Sequence, residues 1–291
     1  MFDPMNPHMF PKDLAETPSV LELFNLNGRA AIVTGGAGLL GAQFCRTLAQ
    51  AGAQVVVADV NRLAGEQVAD ALTREGYPVI AVQVDVADPV SVRNLVAATI
   101  QAFGRLDILV NSAALDPKFD PQHEDLSLGD GAFERFPLQA WDQALAVNLT
   151  GAFLCCQAAV QPMLEQGGGV IINLSSIYGL AGPDQRIYQL PGQAPKYKPV
   201  YYSVTKAGIL GLTRYLAAYY AGRNIRVNAL TPGGVYNGHE PAFVEAYSAR
   251  AVLGRMAEKN EMNGALLFLA SDASAYMTGA NLIVDGGWTA W

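Results

Sequence analysis

From Arg29 onward the chain alternates short, continuously apolar runs with longer segments of helical periodicity, and this alternation restricts it to few architectures. RAAIVTGG is an apolar run that ends in glycines, and LLGAQFCRTLAQAGA behind it has helical spacing and closes at Gly52. AQVVVADV is a second such run, followed by helical VADALTREG up to Gly76. YPVIAVQVDV, PVSVRNLVAATIQAFG and LDILVNSAA repeat the unit; AWDQALAVNLTGAFLCCQAAVQPML, GGVIINLSS, SVTKAGILGLTRYLAAYYA and NIRVNALTPGG extend it. Strands that are apolar throughout are buried on both faces. The predicted fold is therefore α/β, a single doubly wound parallel sheet with helices on both faces, in which ligands sit beyond the carboxyl ends of the strands.

The 291 residues suffice for one such domain, assigned to 25–291. Residues 1–24, rich in proline and acids and without the apolar core of a signal peptide, read as an N-terminal arm. With 19 Lys and Arg against 26 Asp and Glu, the net charge of −7 supplies no positive field for nucleic acid or anionic lipid. No uninterrupted apolar span of bilayer length is read from the sequence. Cys45, Cys155 and Cys156 are odd in number, and two of them are adjacent. They suggest a reducing, cytoplasmic compartment rather than a disulfide framework. His8, His123 and His239 have no neighbouring Cys or His at metal-ligand spacing, so no metal site is expected.

Two connections, near 115–137 and 179–200, are longer than a plain α/β fold needs. Both follow strands and so leave the sheet at its ligand-binding end. Their polar and aromatic side chains, among them Asp116, Lys118, Asp184, Arg186, Tyr188 and Tyr197, suit a polyhydroxylated substrate, or are plain solvated loop surface.

In TGGAGLLG, residues 34–41, main-chain amides of a glycine-rich turn and of the helix after it can approach a pyrophosphate without intervening side chains. Alone this is a common strand-to-helix connector. Its place after the first strand, with Asp59 ending the second strand 18 positions past Gly41, makes it a dinucleotide site. A carboxylate at Asp59 accepts ribose hydroxyls and repels a 2′-phosphate, which favours NAD(H) over NADP(H), although Arg62 nearby softens that preference.

YSVTK places Tyr202 and Lys206 at i and i+4, so on a helix the phenol and the ammonium share one face. An adjacent cation lowers the pKa of a phenol, which suits acid/base work. Seen alone, the spacing is an ordinary helical pair.

In order, TGGAGLLG, Asp59, VDV with Asp85, LVNSAA with Asn111, VNLTG with Asn148, NLSSIYG with Ser176, YSVTK and TPGGV resemble the short-chain dehydrogenase/reductase family over about Leu26 to Gly287. The resemblance implies a Rossmann fold and a catalytic set carried onto Asn148, Ser176, Tyr202 and Lys206. Tyr202 would exchange the proton, Ser176 would hydrogen-bond the substrate oxygen, Lys206 would hold the nicotinamide ribose, and Asn148 a water. It further implies cofactor contacts at Gly35, Gly38, Leu39, Leu40, Gly41, Asp59, Asp85, Val86, Asn111, Ala113, Pro232, Gly233 and Val235. Homo-oligomers, tetramers or dimers, follow from the same resemblance, built from the helix containing Asn148, the helix starting at Tyr202 and the last strand.

The sequence departs from the family pattern at Leu39, where a glycine is usual, at Ser112 and Ala114, and at Asn237. Ser176 and Tyr202 are 26 positions apart, about twice the usual spacing, so Ser175 competes for the serine role; the IYG after Ser176 favours Ser176. PDxRIY in the second long loop resembles dehydrogenases of bacterial surface-sugar synthesis, which implies a sugar or polyol substrate. The activity so expected is hydride transfer between NAD(H) and a secondary alcohol or ketone, an alcohol dehydrogenase with Tyr202 as general acid/base. The alternatives are a sensor or scaffold that binds NAD without turnover, or an epimerase or dehydratase with the same Tyr-Lys pair. Intact Ser, Tyr and Lys positions weigh against the first, and the short stretch from Thr231 to Trp291 against the second.

Overall fold

A computed structural model describes residues 19–116, 130–189 and 192–291. Seven strands form one parallel sheet: β1 (Ala30–Thr34), β2 (Gln54–Asp59), β3 (Val79–Gln83), β4 (Ile108–Asn111), β5 (Gly169–Leu174), β6 (Ile225–Pro232) and β7 (Asn281–Val284). Their order is β3-β2-β1-β4-β5-β6-β7. The chain builds outward from β1 to β3 and then crosses back to β4, so β1 and β4 flank the switch point, in the register Thr34 to Asn111. A crevice beyond these strand ends is the usual place for a ligand in this architecture.

Eight helices complete the fold: α1 (Leu39–Gln50), α2 (Arg62–Arg74), α3 (Pro89–Phe103), α4 (Leu138–Leu145), α5 (Gly151–Glu165), α6 (Val200–Tyr219), α7 (Pro241–Ser248) and α8 (Asn263–Ala270). Sequence signals set several boundaries. Asn61 caps α2 by accepting from the Ala64 amide at 3.1 Å, and Asp88 caps α3 by accepting from Val90 and Ser91 at 3.0 and 3.1 Å, with Pro89 in the first turn. α6 begins at Val200 behind Pro199, two residues before Tyr202, so Tyr202 lies inside the first turn rather than at the helix start.

Strand residues such as Ile32, Val56 and Leu109 point to one side and Val33, Val55 and Ile108 to the other, all fully buried. One core layer lies with α1, α2 and α8, the other with α3, α5 and α6. This two-sided burial is why the strands read as continuous apolar runs. A third, smaller cluster beyond the strand ends gathers Ile177, Tyr178, Ile187, Tyr188, Tyr247 and Met256. It draws on the second long connection and on α7, and it forms one wall of the site described next.

Three sequence expectations shift. Residues 19–24, assigned to the arm, instead include a single helical turn at Glu22–Phe24 that packs against the turn Asp272–Ser274; residues 1–18 lie outside the described residues. α4 and α5 are joined through a π-turn, Ala146–Thr150, in which one residue too many is accommodated per turn. The resulting helical stretch, Leu138–Glu165, is long and apolar enough to cross a membrane by length and composition, but here its buried face packs on β4 and β5.

Candidate active site

A cleft of about 910 Å³ opens at the carboxyl ends of the strands. One end is built by the turn after β1. Gly35 adopts φ +63°, and a Cβ there would stand 2.8 Å from Ala113 Cα; a Cβ on Gly41 would stand 2.0 Å from the Gly35 carbonyl oxygen. Only glycine lets α1 close so tightly on the turn while the turn leans on the main chain after β4. Gly38 occupies the N-cap of α1 and no side chain caps the helix, which leaves the first amides of α1 for a ligand. Leu39, the departure from the family pattern, is the first helical residue, and its side chain is 37% exposed. Its helical backbone suits any residue, so the turn retains its geometry without the usual glycine.

Asp59 stands at the end of β2. One carboxylate oxygen accepts from the Ala37 amide and the other from the Asn61 amide, both at 3.0 Å. Each oxygen keeps further acceptor capacity for hydroxyls. Arg62 is turned along α2 to Glu66, 3.0 Å away, so its charge is matched there. Val86 and Asp85 line the same end of the cleft, with Asp85 fixed by accepting from the Ala87 amide at 2.9 Å. The glycine cradle, the uncapped helix and the anchored carboxylate together fit an adenine dinucleotide.

Asn111 is placed differently from a cleft residue. Its amide donates to Asn173 Oδ1 at 2.8 Å, and Asn173 donates in turn to Thr213 at 3.0 Å, all buried behind the cleft wall. The main chain of Ser112–Leu115 faces the cleft instead. Thr34 Oγ1 holds it by accepting from Ser112 and Ala113 at 3.1 and 3.2 Å.

At the other end, α6 and the turn after β5 bring the catalytic candidates together. Tyr202, Lys206 and Ser176 all line the cleft. Ser176 starts a helical turn and accepts from the Tyr178 amide at 3.2 Å. Ser175 also lines the cleft, but its hydroxyl donates to the Lys206 carbonyl at 2.8 Å. The Lys206 ammonium donates to the Leu174 carbonyl at 2.8 Å, one of its three hydrogens. Asn148, in the π-turn, accepts from the Leu115 amide at 2.6 Å and donates to the Leu115 carbonyl at 3.0 Å. Its side chain thus anchors the start of the first long connection.

The charges correct one expectation. The sequence suggests that Lys206 lowers the Tyr202 pKa, but burial pushes the phenol well above its ordinary value, and the nearby Asp116 carboxylate adds to this; the polar Ser176 side chain pulls the other way. Lys206 is itself lowered to about 8, chiefly by burial, with Lys198 adding to the effect and Asp116 opposing it. Burial outweighs the cation because the ammonium leans toward Leu174 and stands 5.8 Å from the phenol ring centre.

Of the loop residues singled out from sequence, Asp116 and Tyr188 line the cleft. Asp184 pairs with Arg186 and Arg250, and Tyr197 donates its amide to the Asp130 carbonyl at 2.9 Å, all three away from the lining. Lys118 and His123 lie outside the described residues. Residues not anticipated include Lys198, Tyr178, His239, Phe243 and Tyr247. Pro232, Gly233, Val235 and Asn237 after β6 line the cleft between the two ends.

A family described as enoyl-(acyl carrier protein) reductase matches residues 36–289. A solved short-chain type dehydrogenase/reductase from Mycobacterium marinum superposes with a TM-score of 0.81 at 32% identity, over 94% of this chain and 99% of that one. The chain belongs to the short-chain dehydrogenase/reductase family. A D-threitol dehydrogenase of Mycolicibacterium smegmatis is 37% identical over 271 residues, covering 91% of this chain and 95% of the relative. A gluconate 5-dehydrogenase of Burkholderia cenocepacia, solved with NADP and tartrate, gives a TM-score of 0.79 at 30% identity, over 94% of this chain and all of that one. Family membership and relatives that are dehydrogenases make this chain an oxidoreductase acting on alcohol groups.

Proposed function

We propose that the chain is an NAD(H)-dependent dehydrogenase of a small secondary alcohol carrying further hydroxyls, a polyol or sugar, in which Tyr202 exchanges the proton. The observation that carries this reading is that Tyr202, Ser176 and Lys206 line the same cleft as the glycine cradle. When bound, a nicotinamide dinucleotide supplies the hydride acceptor or donor. Ser176 holds the substrate oxygen, Tyr202 takes its proton during oxidation or returns it during reduction, and Lys206 offers its remaining hydrogens to ribose hydroxyls. Asn148 positions these groups by fixing Leu115 rather than by touching substrate.

Asp59 supports NAD(H): a carboxylate at the end of β2 accepts ribose hydroxyls and repels a 2′-phosphate, and Arg62 is matched by Glu66. The gluconate 5-dehydrogenase was solved with NADP, so a 2′-phosphate is admitted in a relative of this fold. The D-threitol dehydrogenase supports the substrate class, as do the hydroxyl-rich and aromatic cleft walls. The free, buried state of Cys45, Cys155 and Cys156 supports a cytoplasmic location, and the apolar outer face of α6 a homotetramer or dimer.

Purified protein incubated with NAD or NADP and a panel of polyols tests the reading by the absorbance of reduced nicotinamide. NAD-dependent turnover is expected. A clear NADP preference overturns the role given to Asp59, and cofactor binding without turnover of any alcohol returns the sensor alternative.

A further inference from the structure

The cleft holds a second buried lysine to which the reaction gives no task. Lys198 lies four positions before Tyr202 and is 8% exposed, and its Nζ stands 4.1 Å from the centre of the Tyr202 ring. The ammonium donates to Asp116 Oδ1. Asp116 opens the first long connection and Lys198 closes the second, so the pair joins the two over the phenol. Gln185 fixes the main chain of Lys198, accepting from its amide at 2.8 Å and donating to its carbonyl at 3.1 Å. Both charged side chains line the cleft, and the Asp116 side chain is half exposed there.

Such a pair contributes little to stability, because the Lys198 ammonium gives up water for a carboxylate that remains half solvated. Its chemistry is more informative. An ammonium only donates and a carboxylate only accepts, so together they match a hydroxyl, which accepts from Nζ and donates to the carboxylate. Ser176 and Tyr202 already address the reacting oxygen. With Nζ 4.1 Å over the Tyr202 ring, a substrate whose reacting oxygen meets Tyr202 and Ser176 would turn a substituent of its neighbouring carbon toward Lys198. A substrate carboxylate at this point would meet Lys198 but be opposed by Asp116; a neutral hydroxyl meets no opposition.

We propose that Asp116 and Lys198 clamp a hydroxyl on the carbon next to the reacting carbinol, which makes the enzyme selective for vicinal diols over mono-alcohols. This rests on the dehydrogenase reading above and assigns its substrate class. The clamp acts on substrate choice, while Tyr202 and Ser176 act on the proton.

The test compares butane-2,3-diol with butan-2-ol, and short polyols with their counterparts lacking the neighbouring hydroxyl, in wild type, Lys198→Met and Asp116→Asn. Hydrogen bonds to charged groups of this kind discriminate by about 10- to 100-fold. Wild type is expected to prefer the diol by that factor in kcat/KM, and each substitution to lower the ratio toward unity. Calorimetry on the protein saturated with reduced cofactor should show diol affinity falling in parallel. Asp116→Asn, at a half-exposed position, keeps the comparison available if Lys198→Met fails to fold. Equal losses on diol and mono-alcohol, or no diol preference in wild type, overturn the clamp alone. Cofactor binding without turnover of any alcohol overturns the dehydrogenase reading and the clamp with it.

Discussion

Tyr202 and Lys206 share one helix face, yet their environments push their pKa values in opposite directions: burial raises the phenol and lowers the ammonium to about 8. Replacing Tyr202 with Phe is expected to cut kcat by about 10²- to 10⁴-fold, the usual worth of a general acid/base. Cofactor affinity, read by fluorescence titration, should hardly move; retained turnover would remove Tyr202 from its role. Lys206 leads to a stability expectation. Its folded value near 8 lies below the ordinary 10.5, so between those values the unfolded chain binds more protons and stability rises with pH. Unfolding of the cofactor-free protein should therefore show wild type gaining on Lys206→Met from pH 8 to 10.5, with a constant difference on either side. A difference that is flat across the window would contradict the burial of a charged Lys206. Tyr202, Lys206 and Ser176 were legible because an ordered motif places them. Lys198 was not: nothing in the motif marks it, and only the path of the long connection brings it over the Tyr202 ring.

At the scale of elements, the turn between β1 and α1 has the least freedom. A methyl on Gly41 would press on the Gly35 carbonyl oxygen, backbone against backbone, with no side chain able to yield. Gly41→Ala is expected to cost about 1–3 kcal/mol of stability, as overpacking does, and to weaken NAD binding with it, measurable by thermal unfolding with and without NAD. Leu39→Gly, at the exposed first residue of α1, should stay within about 0.5 kcal/mol. If Leu39→Gly instead tightened NAD binding greatly, Leu39 would be obstructing the phosphate path. Strand and helix identities were readable here from apolar runs and helical spacing, whereas the caps Asn61 and Asp88 and the start of α2 at Arg62 emerged only in the fold. The π-turn at Ala146–Thr150 was not, because helical periodicity before and after it is unbroken in type and shifts only in phase. That phase shift accompanies the burial of Asn148 against Leu115.

For the whole molecule, the parallel sheet followed from strands buried on both sides, whereas the cleft walls depend on contacts between segments far apart in sequence, such as Asp116 with Lys198 and Tyr247 with Trp288. One face of the folded chain still lacks a partner. Along α6, Val204, Ala207, Gly211, Tyr215, Ala218 and Tyr219 are exposed at helical spacing, with Tyr215 and Tyr219 63% and 65% open. Such a face on a twenty-residue helix supports the homo-oligomer proposed above. Phe153 on α5, 45% exposed, and Ile283 on β7, 44% exposed, extend apolar exposure to two further elements. An assembly of identical chains closes most simply when such faces meet their own copies about two-fold axes. Gly211 makes the test clean, because a Cβ there meets nothing within 4 Å and the lone chain accommodates a side chain. Gly211→Glu should leave the circular dichroism and the fold intact, since a helix-interior glycine replaced by a better helix former gains up to about 1 kcal/mol in the monomer. Sedimentation should nevertheless show a smaller assembly than wild type, because the charge is driven into a face that the partner copy must dehydrate. A wild-type protein that sediments as a monomer, or a Gly211→Glu variant that assembles as wild type does, would take α6 out of the interface.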